Sequence, residues 1–405
     1  MKLSLLPLAL LTLGLYGSNL AAQEKPATID AAKFDTLQAA IDALPETGGL
    51  LKLPPGTTEI SKPLLITTPE TRIVGSGPST HIKNVNEEGK PAILIQPANR
   101  ADDARARLWR IELDSFRISG NPNSGDGVRA EGINEILIHS VSVDHHGAHG
   151  LAMIDCYEDP RVTDSIFTYN KQAGVYIQAN HDIVVNGNQF EENDDALVCV
   201  DSFNLCMNGN NIDDHLGNGV VIENTYGSVV SGNMIEECQG TAIILDRDCY
   251  GITLSANVIA HELEGGIDLR DAHGCAVSAN TFVIVHKHGV RVGPDSGRIT
   301  ISANNFSNSY TGDGKTRRPA NAKKPIQQDA GAGVVIENAE HVTISGNTFS
   351  GMDAEAVRAA GECHGILVSG NLITDWGKRT GDEPVKAIAV PKEGNLVQGN
   401  LIDGE

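Results

Sequence analysis

The chain has 405 residues, of which 52 are acidic and 31 basic, so its formal net charge is −21 at pH 7. So negative a protein is a poor partner for nucleic acid, and it repels an anionic polymer unless basic side chains are gathered locally. Its seven cysteines contain no CxxC pair, which argues against a thiolate metal site; they read as small buried apolar residues, with one or two disulfides left open.

Met1-Lys2, an apolar run from Leu3 to about Tyr16 and the small residues Ser18-Asn19-Leu20-Ala21-Ala22 follow the order of a secretory leader. The run is shorter than the ~20 residues that cross a bilayer, and no later segment is as apolar, so no membrane insertion is expected. Residues 1–22 are therefore set aside as a signal peptide. The folded part is expected over 23–405, in a secreted or periplasmic protein.

Phe34, Leu37, Ile41 and Leu44 would line one face of a helix. Asp35 with Gln38 resembles a capping box, and Pro45 stops the helix. This helix is the expected N-terminal cap of a segment spanning 30–60, in which Gly48–Ile60 forms a turn, a strand and a second turn.

From about residue 85 onward a repeat governs the chain. A small residue followed by alternating apolar residues recurs at Gly127, Gly150, Gly174, Ala196, Gly219, Ala242, Gly266 and Gly289, at steps of 22 to 24. It returns at Gly333, Ala356 and Ala387. The words are alike: GVYI, ALVC, GVVI, AIIL, GIDL, GVRV, GVVI. Asparagine keeps the same pace at Asn188, Asn210, Asn233, Asn257, Asn280, Asn304, Asn347, Asn371 and Asn400, with Asp114, His139 and Asp164 at the matching place earlier. Stacked asparagines can hydrogen-bond from turn to turn. One such unit cannot bury its own apolar face, so the units must stack into a continuous column of parallel strands about 4.8 Å apart. The LxxLxL pattern of leucine-rich repeats and the 3.6-residue period of helical repeats are both absent.

The opening FDTLQAAIDALPETGGLLKLPPGTTEI, followed by RIVGSG at Arg72–Gly77, resembles the start of the pectate-lyase-like superfamily, with its cap helix, Gly-Gly turn, "lPpGtY" strand and "GxG" turn. The repeats of 127–400 are similar to that family's coils. The resemblance implies an all-β fold, a single-stranded right-handed parallel β-helix with an N-terminal capping helix. It also implies a leaning toward polysaccharide chemistry but names no reaction, because such folds host lyases, hydrolases, epimerases and non-catalytic surface proteins. The segment Asn193-Asp194-Asp195-Ala196 resembles the Gly-Asp-Asp-Cys segment of polygalacturonases. However, Asn218, Ala173 and Ile244-Leu245-Asp246 depart from that family elsewhere, so a generic repeat bend is the better reading.

Alternation fixes the directions of side chains on the first strand of each repeat. Residues one and three after the small residue point inward: Val220 and Ile222, Ile243 and Leu245, Ile267 and Leu269, Val290 and Val292. Those two and four later point outward, and in the later turns they are charged. Glu223, Asp246 and Arg270 share one column, and Asp268 and Arg291 share the other. Arg247, Asp248 and Asp271 lie just beyond, and His288 precedes its strand. Carboxylates one strand spacing apart raise one another's pKa and arginines lower it, which marks a candidate functional site. Alternating acid and arginine can equally form a structural ladder. The family resemblance favours function, because related polysaccharide enzymes place their groove along this strand face.

Glu223, Asp246, Asp268, Arg270 and Arg291 are the catalytic candidates. Arg247, Asp271, His288, Tyr226 and Tyr250 are the substrate-binding ones. Tyr226 and Tyr250 belong to a row with Tyr157, His181, Phe203 and His273, in which Tyr250 falls one position off; internal stacking and a sugar platform are both open. Two insertions enter at the edge of this face, around Ser307–Gly331 and Trp376–Pro384. The larger carries Lys315, Arg317, Arg318, Lys323 and Lys324, either a solvated loop or a clamp for uronate or sulfate groups. Asp144, His145, His146 and His149 lack the spacing of a zinc helix.

Three functions fit. The first is β-elimination from a uronic-acid polymer, with Arg270 or Arg291 neutralising the substrate or acting as base. Ca²⁺ is the one cofactor considered, held by Asp246 and Asp268 with Glu223. A uronan C5-epimerase needs the same parts. The second is glycoside hydrolysis with Asp246 and Asp268 as the carboxylate pair. The third is non-catalytic glycan binding in the cell envelope. The expected partner is a polysaccharide, and the capped coil is expected to be a monomer.

Overall fold

Each repeat closes one turn built from three short strands. In the turn that begins at Gly219 these are Val220–Glu223, Val229–Ser231 and Met234–Glu236. Equivalent strands of successive turns stack into sheet 1 with 13 strands, sheet 2 with 17 and sheet 3 with 14. The computed structural model describes residues 27–307, 331–377 and 384–403. Within these residues the fold is a right-handed parallel β-helix of about 14 turns with 3% helix. The expected signal peptide lies outside the described residues. No helix among them is long and apolar enough to cross a membrane.

Register on sheet 1 follows the repeat. Val220 pairs with Ile243, Ile243 with Ile267, and Ile267 with Val290. Their side chains are wholly buried in a core that runs the length of the coil. The long step after Gly289 leaves the stack unbroken, because Val290 pairs directly with Val334 and Phe306 with Phe349.

Two packing rules explain the repeat's small residue and its asparagine. Where a sheet 3 strand carries Phe, its ring lies under the glycine that opens the same turn. A Cβ on Gly266 would lie 2.9 Å from the Phe282 ring, on Gly289 2.6 Å from Phe306, and on Gly333 2.5 Å from Phe349. Those three rings stack on one another at 4.6 Å. Where alanine opens the turn, as at Ala196 and Ala242, the residue in register with these phenylalanines is Ile212 or Ile259. The asparagines form a buried ladder in which each side-chain amide donates to the next Oδ1, at 2.9–3.0 Å from Asn188 through to Asn400. The ladder starts one residue away from the expected place: Ser165, not Asp164, donates its backbone N–H to Asn188. Asp114 and His139 pair with each other two positions earlier in the turn.

The first 60 residues differ from the expectation of a cap. Ala27–Asp30 and Gly49–Lys52 are ordinary rungs of sheet 2, and Gly56–Ile60 belongs to sheet 3. Only Leu37–Asp42 forms an α-helix. Its N-cap is Thr36, whose hydroxyl accepts from Ala39 N–H, rather than Asp35. Gln38 does not close a capping box. Its side-chain amide donates to Leu65 O at 3.0 Å and accepts from Leu65 N–H at 2.8 Å, pairing with the edge of sheet 1 as a strand would.

All seven cysteines are free thiols, six of them buried, so the open question of disulfides is answered in the negative. A second interior column lies where sheet 3 bends toward sheet 1: His146, Asn170, Asn193, His215, Cys238 and Glu262, each almost wholly buried. Burial pushes His146 and His215 down to about 4 and raises Glu262 well above the carboxylate range, with the Cys238 thiol as its polar neighbour. Neither carboxyl oxygen of Glu262 has a hydrogen-bond partner.

Candidate functional site

The outward columns of sheet 1 stand where the alternation put them. Glu223 pairs in register with Asp246, and Asp268 with Arg291; Arg270 continues the column of Asp246 because Leu245 pairs with Leu269. Asp268 is 6% exposed and is the hub of the face. Its Oδ2 accepts from Arg270 Nε at 2.9 Å and its Oδ1 from Arg291 Nη1 at 3.1 Å. Arg291 also donates from Nε and Nη2 to Glu337 Oε2, at 2.9 and 2.8 Å. Burial alone would lower the Arg291 pKa, but the bonds to Glu337 and Asp268 outweigh it and hold the guanidinium above its usual value. Arg270 reaches Asp246 only loosely, with Nη1 3.7 Å from Oδ2. Arg247 turns the other way, to Glu223 at 2.8 Å and Asp201 at 3.4 Å.

Gly293 shapes this face. It follows Arg270 in the column, and a Cβ there would lie 3.5 Å from Arg270 Cα and 3.6 Å from Arg291 Nη1. Position 293 therefore places no side chain beside Arg270 and Arg291. Both are partly exposed, and both are held in place by one carboxylate.

The other predicted residues stand around this face rather than on it. His288 lies at its upstream edge, paired with Gly265, and its Nε2 is buried without a hydrogen-bond partner. Burial lowers the His288 pKa, while the charge of Asp268 opposes the shift. Asp271, Tyr226 and Tyr250 lie past the downstream edge, at the corner leading to sheet 2. There Tyr226 O–H donates to Asp248 Oδ2 at 3.1 Å, which raises the tyrosine pKa, and Asp271 accepts from Asp248 N–H at 2.8 Å.

The aromatic row follows this corner. Tyr250 falls in register with Tyr226 and His273 rather than one position off. Tyr157, His181, Phe203 and Tyr226 lie ring on ring at 5.5–6.2 Å. Several of these residues are exposed, yet their faces are turned to one another, which favours mutual stacking over a platform for sugars. Tyr250, 52% exposed, is the most open ring of the row.

Two oxygens that each accept from a guanidinium make Asp268 a poor calcium ligand. Asp248, Asp271 and His273 bring their ligand atoms within 4.8 Å of one another close by, but the imidazole suits calcium no better. The basic residues of the larger insertion, Lys315 to Lys324, lie outside the described residues. Sequence reasoning passed over Glu337, Asp201 and Gly293. A signal for Glu337 was present, since the word GVVIE occurs at Gly219–Glu223 and again at Gly333–Glu337.

Comparison with known proteins agrees with this architecture. The family described as "Right handed beta helix region" matches residues 107–259, 201–306 and 244–373. No curated protein matches the chain by sequence. Among solved structures, the A-module of the mannuronan C-5 epimerase AlgE6 of Azotobacter vinelandii superposes with a TM-score of 0.60 at 15% identity, covering 93% of this chain and 100% of that one. A mutant of the periplasmic alginate epimerase AlgG gives 0.58 at 12% identity, covering 93% and 84%. Gene product 12 of bacteriophage phi29 gives 0.57 at 12% identity, covering 84% and 54%. At these identities the likeness is one of fold.

Proposed function

The chain belongs to the right-handed β-helix family, and from that premise we propose that it is an exported enzyme acting on a uronic-acid polysaccharide, abstracting the proton next to the sugar carboxylate. The observation that carries this reading is the pair of guanidiniums, Arg270 and Arg291, held side by side on the one carboxylate of Asp268. In a chain of net charge −21 it offers a local, pre-organised place for a carboxylate. Taking the C5 proton leaves an electron pair that delocalises into that carboxylate, and fixed guanidiniums stabilise the charge as it develops.

Asp246 is the base, because it has the loosest ion pair of the face. If the electron pair then expels the C4 oxygen, which leaves with a proton, the product is an unsaturated sugar and the enzyme is a lyase. If a proton returns from the opposite side, the enzyme is a C5-epimerase. The likeness in fold to the epimerases AlgE6 and AlgG favours the second outcome. Hydrolysis fits less well, since Asp268 has no free oxygen for a leaving group. A non-catalytic glycan-binding role draws on one observation, that every charge of the face is already paired.

The test is incubation of the protein with polymannuronate and pectate in D2O. Deuterium entering C5 without chain shortening marks epimerisation, and ultraviolet-absorbing ends mark elimination. Arg270→Ala and Arg291→Ala should each lower turnover by roughly 100-fold or more. New reducing ends alone, or binding without any exchange, would sink the proposal.

A further inference from the structure

Away from the sheet 1 face, three side chains converge where the coil passes from sheet 1 into sheet 2. Glu340 opens the strand Glu340–Ser345, His341 follows it, and His364 bridges to Glu340 from the next turn. One oxygen of the carboxylate faces each imidazole: Oε1 lies 3.5 Å from His341 Nδ1 and Oε2 2.8 Å from His364 Nε2. The imidazoles meet edge to face, with centroids 5.3 Å apart at 79°, so they converge on the carboxylate rather than stack. The backbone beneath is fixed by His341 N–H to His364 O at 3.0 Å and Gly365 N–H to Gly394 O at 2.8 Å. Gly365 makes room for the first ring: it has φ +69°, and a Cβ there would lie 2.8 Å from His341 Cδ2.

We propose that Glu340, His341 and His364 bind a divalent transition-metal ion, with zinc as the representative. Their ligand atoms lie within 4.8 Å of one another. Two imidazoles and a carboxylate suit zinc and its neighbours, and three protein ligands leave positions for water. Calcium and magnesium prefer sites made wholly of oxygen, so the donor set selects against them. Among the described residues, the other three clusters of this kind each offer only one imidazole: Glu112, Asp114 and His139; Glu236, Glu237 and His261; and Asp248, Asp271 and His273. The first of these is also occupied by Arg72, which pairs with both of its acids. The three ligands of the proposed site are half-exposed, so an ion can enter without disturbing the core.

Calorimetric titration of the full chain with zinc chloride should give one ion per chain at this site, while calcium chloride gives no heat from it. The double variant His341→Ala/His364→Ala should weaken that zinc binding more than about tenfold, with an unchanged circular dichroism spectrum. Glu237→Gln, which dismantles a competing cluster, should leave it as it was. Equal zinc uptake by the wild type and the double variant, or no zinc uptake by the wild type, would overturn the assignment.

Discussion

Asp268 is a nearly buried carboxylate, in register with the likewise buried Ile244, and its two guanidiniums are what hold it as an ion. Its replacement by alanine would leave Arg270 and Arg291 as like charges beside each other. Asp268→Ala should cost about 1–3 kcal/mol, read from denaturant unfolding, and the deficit should shrink when Arg291 is changed to Met in the same chain. The pairing of columns was legible, because a step of 23 residues brings Asp268 opposite Arg291. The direction in which each arginine turns was not. Register fixes where a Cα stands but not the rotamer, by which Arg270 folds back to Asp268 instead of spanning to Asp246. Glu337 escaped for a related reason, since the 44 residues from Gly289 to Gly333 hide that they open adjacent turns.

At the scale of the strand, each turn carries its own filling. Every phenylalanine of a sheet 3 strand faces a glycine opening, as Phe306 faces Gly289, while Ala196 and Ala242 go with isoleucine and Gly219 and Gly127 with Ile235 and Val143. Gly289→Ala should therefore destabilise by about 1–3 kcal/mol through overpacking. Adding Phe306→Ile, which recreates the pairing of other turns, should recover much of that loss, and a double-mutant cycle measures the coupling. Additive effects would show that the ring and the glycine do not communicate. The repeat words showed the small residue but not this pairing, because the contact joins residues of different sheets. The N-terminal helix was misread at its ends for the same kind of reason. Gln38 looked like half of a local capping box, whereas its partner, Leu65, lies 27 residues away.

At the scale of the whole coil, the interior column makes stability depend on pH from both sides. His146 and His215 titrate near 4 when folded, well below an unfolded histidine near 6.5. Between those values the unfolded chain binds more protons. The fold therefore loses on the order of 3 kcal/mol per histidine as pH falls from about 6.5 to 4. Glu262 acts in the opposite sense. Its folded pKa is raised by burial, so above the unfolded value the folded chain holds the extra proton and stability falls as pH rises. Glu262→Gln removes that penalty. Its melting temperature should exceed that of the wild type at pH 8 and converge with it below about pH 4.5; parallel melting curves across that range would refute the assignment.

The unbroken pairing of Val290 with Val334 and Phe306 with Phe349 has a consequence for how such a protein can change. The strands flanking the long step pair directly, and doubling the length of a connecting segment adds only about 0.6 kcal/mol of closure entropy. Such connections can therefore vary in length while the coil behind them keeps its dimensions. Recognition and architecture are free to evolve on separate clocks.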